Sequence, residues 1–281
     1  MSRYRFALRP KWILSHVFLV AMVAAMLWAC SWQLSRLHEK QARNRKVTDR
    51  TALPVVRIDD LAKPGDDYAA AQDVQFRRAQ AVGTYRADQE VLVRSRSRDG
   101  APGSWILTPL EEADGTTVVV NRGWVPNSGQ LEKVPAQYTA PKGTVTVVGL
   151  VQPTETRGSF GPRDPKTGTL TNLARADIAR LDQQVPEDLL PLFLQLQTQR
   201  PKATTTYPAP VPQPTLDEGP HLSYAIQWAA FSTAAIVFYP LILRRRAREI
   251  EKEALEAELD EADPDDEPVE GDPRLDPVAD A

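Results

Sequence analysis

The 281-residue chain has one cysteine, Cys30, and three histidines, His16, His38 and His221. A lone cysteine excludes a disulfide framework and a thiolate metal cluster. A three-imidazole metal site would need all three histidines together. His16 and His221 lie in or at two separate apolar runs, and His38 lies just past the first. Between them, residues 39–220 hold no histidine and no cysteine. A serine–histidine pair, a thiol nucleophile and a histidine-based metal site therefore all lack parts there, while paired carboxylates stay open. No glycine-rich phosphate loop is present, and no internal repeat is visible. An excess of charge of one sign is also lacking. The formal net charge is -3 and the central region has no long basic block, which sets nucleic acid aside as a partner.

Mean hydropathy is -0.38, so most of the chain is of soluble composition and its apolar residues are concentrated in two runs. Trp12 to Trp32 and Leu222 to Leu243 each lack a charged side chain. At 1.5 Å per residue the second spans roughly 33 Å as a helix, about the thickness of a bilayer hydrocarbon core. Helix is the conformation that pairs its own peptide groups in lipid. Arg3, Arg5, Arg9 and Lys11 precede the first run, which is also the pattern of a secretory signal, and Leu27-Trp28-Ala29-Cys30 resembles a lipoprotein cleavage site. The bulky Trp28 and the length of the run favour a retained helix. Arg244, Arg245, Arg246 and Arg248 follow the second run. With two spans, that flank places both termini in the cytoplasm.

The segment between the runs has strand-like patterning. Val91–Val93, Trp105–Leu107, Thr116–Val120 and Val145–Val151 are short β-rich runs separated by turn signals such as Asp99-Gly100 and Pro141-Lys142-Gly143. Val74–Tyr85 and Leu192–Gln197 are further strand candidates, and Leu173–Leu181 reads as a short helix. Residues 200–220, rich in proline and threonine, read as an extended linker. Arg244–Glu261 has helical composition, and the acidic tail from Asp263 has disordered composition. The expectation is a membrane protein in which two transmembrane helices, 12–32 and 221–243, flank a mostly antiparallel β (α+β) extracytoplasmic domain, 33–220. A cytoplasmic N-terminus, 1–11, and a cytoplasmic helix and tail, 244–281, complete it.

At about 100° per residue, His221, Tyr224, Ala225, Trp228, Ser232 and Ala235 share one face of the second helix. That face carries an imidazole at its outer end with small residues below, and a flat ligand could lie against it.

Four stretches carry the remaining signal. Trp32-Gln33-x-x-Arg36-x-x-x-Lys40 follows the first run, and Asn121-Arg122-Gly123-Trp124-Val125-Pro126 closes a β run. Glu155-x-Arg157-Gly158-x-Phe160-x-Pro162 follows another, and His221-Leu222-x-Tyr224-Ala225-x-Gln227-Trp228 opens the second run. In this order, between two apolar helices, they resemble the Surfeit locus protein 1 family, bacterial type, over roughly residues 12–243. Cys30 stands where that family often has glycine, and Pro220 where asparagine is common.

The resemblance implies a non-enzymatic assembly factor for cytochrome c oxidase in the plasma membrane, binding haem a and assisting its insertion. His221 would be an axial ligand of the haem iron, with Tyr224, Trp228 and the small residues Ala225 and Ser232 as a wall and Arg36 meeting a propionate. Its partners would be the catalytic subunit of the oxidase, membrane lipid and, as a further candidate, haem a synthase. The alternatives are a scaffold that binds oxidase subunits or haem-handling proteins without touching haem, and an enzyme acting outside the membrane, which the missing nucleophile sets disfavour.

Each stretch also has a plain reading. Trp32 and Trp228 suit interfacial anchors, and Arg36 and Lys40 suit headgroup contacts. Asn121–Pro126 suits a strand ending in a turn, Arg122 a pairing with Glu155 or Asp164, and Arg157 and Phe160 packing at a core edge. His38 is either a second ligand or a residue of a solvated linker. His16 belongs to the opposite end of the bilayer.

Overall fold

The computed structural model describes residues 4–127, 131–203 and 205–262. The tail from Asp263 lies outside the described residues. Two compact units divide the chain: one is Met1–Lys40 with Glu218–Ala281, the other Gln41–Asp217. The helices are α1 (Pro10–Ala52), α2 (Ile178–Asp182) and α3 (His221–Ala262). The strands are β1 (Val56–Arg57), β2 (Arg78–Tyr85), β3 (Val91–Arg98), β4 (Ala101–Glu112), β5 (Thr117–Pro126), β6 (Thr144–Pro153), β7 (Asn172–Leu173) and β8 (Leu189–Arg200).

α1 and α3 are long and apolar enough to cross a membrane, and their composition points to membrane anchoring. α1 continues well past Trp32, so Gln33–Ala52 is helical and His38 sits on a helix, not in a linker. No helix-breaking residue interrupts Trp32–Ala52, and alanine, glutamine, lysine and arginine there are good helix formers.

In the second unit the sheet order is β1-β2-β6-β8-β5-β4-β3-β7, and β2 also pairs with β4. That pairing closes β2, β6, β8, β5 and β4 into a barrel. In chain order these strands neighbour one another first, second, third, fifth, fourth and back to first. The third and fifth, β5 and β8, run parallel. This is the connectivity of the OB-fold, an architecture that does not by itself assign a function. β2 turns from β6 to β4 near Gly83. A Cβ on Gly83 would lie 2.1 Å from the Glu111 carbonyl oxygen, so glycine is what lets the seam close.

Alternate residues of the barrel strands fill the interior: Ala79 and Ala81, Leu110, Val118 and Val120, Val145 and Val147, Leu190 and Leu192. β5 and β8 are also covered outside, where Val119, Leu189 and Phe193 pack with Ile178 and Leu181 of α2 and Leu173 of β7. Burial on both faces is why these strands read as continuous apolar runs. The segment expected to be one helix from Leu173 divides instead. Asn172 and Leu173 pair with β3, and helix begins at Ile178, with the Asp177 side chain capping the Arg180 amide at 3.0 Å. Val74 lies outside β2, which starts at Arg78.

Asn121–Pro126 is the closing part of β5, which ends at Pro126, but it is not plain strand. It stays in β5 and contains a bulge, because Leu107 faces Asn121 while Ile106 faces Gly123, leaving Arg122 as the extra residue. The side chain of Arg122 is buried and pairs with Glu90 at 3.1 Å, above the Tyr85 ring. Glu155 and Asp164, the partners weighed from sequence, belong to Arg96 and Arg94. Gly123 has φ 136°, and a Cβ there would meet the Ala209 carbonyl oxygen at 2.4 Å. Trp124 and Ala209 exchange both backbone hydrogen bonds, at 2.7 and 2.8 Å.

Residues 205–217 are therefore not a free linker. Prolines there offer carbonyls but no N–H, and side chains supply the donors. Arg98 donates to the Pro210 carbonyl, Gln195 to those of Val211 and Pro212, Arg43 to Thr215 and Asn44 to Leu216.

At the β2–β4 seam Glu112 is buried, its Oε1 accepting from the Val82 amide at 2.9 Å. Its Oε2 and Asp59 Oδ1 are buried with no donor among the described residues. Burial pushes the Glu112 carboxyl up to about 7, and Asp59 adds to the rise. The protonated acid can donate to its neighbour. The folded state then holds a proton that the unfolded chain, with an ordinary carboxyl, has released. Stability falls as pH rises from about 4.5 to about 7.

Two outcomes follow from this geometry. Gly123→Ala should destabilise the domain by about 2–3 kcal/mol, through backbone strain and collision with the Ala209 carbonyl, measured by denaturant unfolding of the detergent-solubilised chain. Glu112→Gln should flatten the stability-versus-pH curve between about pH 4.5 and 7 relative to wild type. Identical slopes would assign that pH dependence to other groups.

Candidate functional site

In the helical unit, three sets of polar contacts fix α3 against α1. His221 Nδ1 lies 2.8 Å from Gln33 Oε1. The Cys30 thiol donates to the Ala225 carbonyl at 3.4 Å. The Tyr239 hydroxyl lies 2.5 Å from His16 Nδ1 and 3.1 Å from Ser15 Oγ. Numbers rise along α1 as they fall along α3, the register of an antiparallel pair. Polar side chains in such apolar helices find partners on the neighbouring helix because lipid offers none.

Small residues close the seam. Ala225 and Ser232 are 3% and 2% exposed, and the Ser232 hydroxyl is spent on the Trp228 carbonyl at 2.8 Å. The face expected to lie open to a flat ligand is thus largely packed, because small side chains let helix backbones approach closely. What remains beside His221 is a flank. Tyr224 is 46% exposed, and the half-buried Trp228 stands edge-on to Phe231, with ring centroids 6.2 Å apart.

His221 opens α3. Pro220 precedes it without cost, since its carbonyl accepts from the Tyr224 amide at 3.1 Å and its missing N–H is not needed there. Gly219 has φ 71°, and a Cβ on it would stand 3.5 Å from both Nε2 and Cδ2 of the ring. Glycine there puts no side chain against the Nε2 edge, while Nδ1 is taken by Gln33.

Arg36 is not aimed at His221. It pairs with Glu39 at 2.7 Å, and its guanidinium carbon lies 5.5 Å from the centre of the Trp32 ring. His38 is exposed and lies about 140° round α1 from Gln33, so it does not join His221. His16, beside Tyr239, is about 27 Å along α3 from His221. The structure therefore brings together His221, Tyr224 and Trp228, and leaves Arg36 one turn beyond Gln33. Gln33 had no role assigned from sequence. Its position inside the first stretch, next to Trp32, was the available signal.

The other two stretches serve the β unit. The Asn121–Pro126 hexapeptide forms the bulge. Its Arg122 is paired with Glu90, although burial still pushes the Glu90 carboxyl up and the Arg122 guanidinium down against their mutual attraction. Glu155 binds Arg96 and accepts from the Ala176 amide at 2.8 Å. Arg157 donates to the Gly161 carbonyl at 3.2 Å. Phe160 is 92% exposed, so it is not core-edge packing.

Among the described residues no three histidine, cysteine, aspartate or glutamate side chains converge as a metal cage. A single imidazole with one nitrogen engaged and an aromatic flank suits a different guest. A metal that already carries a macrocycle's four nitrogens asks the protein for an axial donor and an apolar wall.

Comparison with known proteins gives a family. The SURF1 family model matches residues 20–233. An uncharacterized SURF1-like protein of Mycobacterium bovis is 30% identical over 263 residues, 89% of this chain and 91% of that protein. A SURF1-like protein of Dictyostelium discoideum is 25% identical over 253 residues, 76% of this chain and 91% of that one. Surfeit locus protein 1 of Takifugu rubripes is 26% identical over 163 residues, 52% of this chain and 65% of that one. With the whole barrel and the start of α3 inside the match, the chain belongs to the SURF1 family.

Proposed function

We propose that this chain is a membrane-anchored, non-enzymatic assembly factor for cytochrome c oxidase that binds haem a through His221 and assists its insertion into the catalytic subunit. The SURF1 family is generally linked to assembly of that oxidase. The observation that supports the haem part is the state of the His221 ring, with one nitrogen held by Gln33 and the other beside a bare glycine. Haem a would supply its own equatorial nitrogens and an electrophilic iron. His221 holds that iron, and Tyr224 and Trp228 exclude water along one edge. The exposed Arg36–Glu39 pair is worth at most about 1 kcal/mol, so Arg36 can exchange it for a propionate. Haem a synthase is a candidate donor of the cargo, and lipid a candidate route to it.

The proposed topology has both termini in the cytoplasm and residues 33–220 outside, in the plasma membrane. The arginines after Leu243 and the even number of apolar helices support it. A second reading has a specific observation in its favour. Burial of Ala225 and Ser232 removes two small residues from the ligand face, which suits a scaffold that holds oxidase subunits or haem-handling proteins without haem.

Reporter fusions at position 130 and at the C-terminus should report opposite sides of the membrane. Both on one side would overturn the topology. In cells that make haem a, His221→Ala should insert normally yet lose haem on the order of tenfold or more, because ring contacts cannot replace a coordinate bond. Trp228→Leu should lose less. Wild-type haem content and spectrum in purified His221→Ala would put the scaffold first.

A further inference from the structure

Gln33 and His221 meet across the α1–α3 pair, and the contact has a defined direction. An amide carbonyl oxygen only accepts hydrogen bonds. The 2.8 Å contact from Gln33 Oε1 to His221 Nδ1 therefore needs the ring proton on Nδ1. In a neutral imidazole that leaves Nε2 as the bare, electron-donating nitrogen. Neutral histidine in water prefers the opposite arrangement, with the proton on Nε2, so the tautomer this contact calls for needs a partner to hold it. Gln33 is that partner, and the Cys30–Ala225 contact about one turn away keeps the two helices in register. At the Nε2 edge, residue 219 is a glycine, whose Cβ, had it one, would stand 3.5 Å from Nε2. The donor nitrogen is thus selected by Gln33 and has no side chain from position 219 against it.

We infer that Gln33 is a positioning residue, which fixes the tautomer and orientation of His221 so that the Nε2 lone pair is the one presented to an electrophilic metal. Its functional meaning rests on the reading of His221 as a haem ligand; the tautomer does not. Partners of this kind on ligating histidines raise ligand basicity, and their loss typically costs about 10–100-fold in metal affinity. Leucine at position 33 removes the acceptor while keeping the helix. Glutamate keeps an acceptor and strengthens it, making the imidazole a better electron donor.

The test uses the full chain in detergent micelles with isotope-labelled histidine nitrogens, read by magnetic resonance without haem. The resonance missing from His221→Ala assigns the ring. Wild type should show a protonated Nδ1 and a bare Nε2; a proton on Nε2 overturns the inference without any variant at position 33. Gln33→Leu should move the proton to Nε2, and Gln33→Glu should keep it on Nδ1. An unchanged tautomer in Gln33→Leu overturns it as well. If Gln33→Leu does not accumulate, the wild-type and Gln33→Glu spectra decide. Haem a titration is the second arm. Gln33→Leu should bind about 10–100-fold more weakly, and Gln33→Glu should bind with a lowered reduction potential. Unchanged affinity in Gln33→Leu, with an unchanged potential in Gln33→Glu, counts against positioning. A wild-type protein that binds no haem a sinks the haem reading, while the nitrogen resonances still decide whether Gln33 sets the ring.

Discussion

β5 is buried along almost its whole length, and polar groups on a strand with no access to water must be satisfied from within the protein. The bulge at Arg122 does this for the guanidinium and for the Trp124 backbone, while Asn121 Nδ2 stays buried without an acceptor among the described residues. One extra residue turns a guanidinium towards Glu90, and Gly123 lets a second chain segment come within hydrogen-bonding distance of Trp124. Trp124 in turn donates its indole N–H to the Arg96 carbonyl at 2.7 Å, tying β5 to β3. The strap from Tyr207 to Leu216, the outer sheet and the barrel therefore meet at one irregularity. Removing one partner of a buried ion pair costs about 3–5 kcal/mol, which makes this a sensitive point of the β unit.

The helical unit depends on a sparser set of contacts. Its outer surfaces are apolar, and what distinguishes one pairing of α1 and α3 from a slipped one is a few polar atoms. Gln33 with His221, the Cys30 thiol with Ala225, and Tyr239 with His16 and Ser15 each find a partner in a single register. Ala225 and Ser232 supply the close approach between them. The same residues that the 3.6-residue period gathers into an inviting face are the ones a neighbouring helix uses.

Periodicity in the sequence revealed the apolar helices and the strands Val91–Val93 and Val145–Val151, because those signals are local. It did not reveal the parallel pairing of β5 with β8, whose partners are some seventy residues apart, roughly the scale at which nothing local constrains contact. Nor did it separate strand from helix at Leu173, where a short apolar run fits either. Arg122 found Glu90, not Glu155 or Asp164, because a bulge redirects a side chain in a way that residue order does not record. Proline-rich composition read as a linker, since an extended chain without N–H groups looks the same whether it is solvated or laid against side-chain donors. At the candidate site His221 was legible as an imidazole at a helix end. Gln33 was not, because its role exists only once the two helices are paired.

The bulge also bears on how loss of function in this chain should be interpreted. Asn121–Pro126 and the His221 stretch stand out equally in the sequence, yet they would fail by different routes. Damage at the bulge loosens the barrel and the strap together, so the missing activity would track the amount of protein that survives quality control. On the proposed reading, damage at His221 would leave the amount intact and remove what each molecule can hold. Activity normalised to protein abundance separates the two, and without that normalisation a folding clasp would be mistaken for a contact surface.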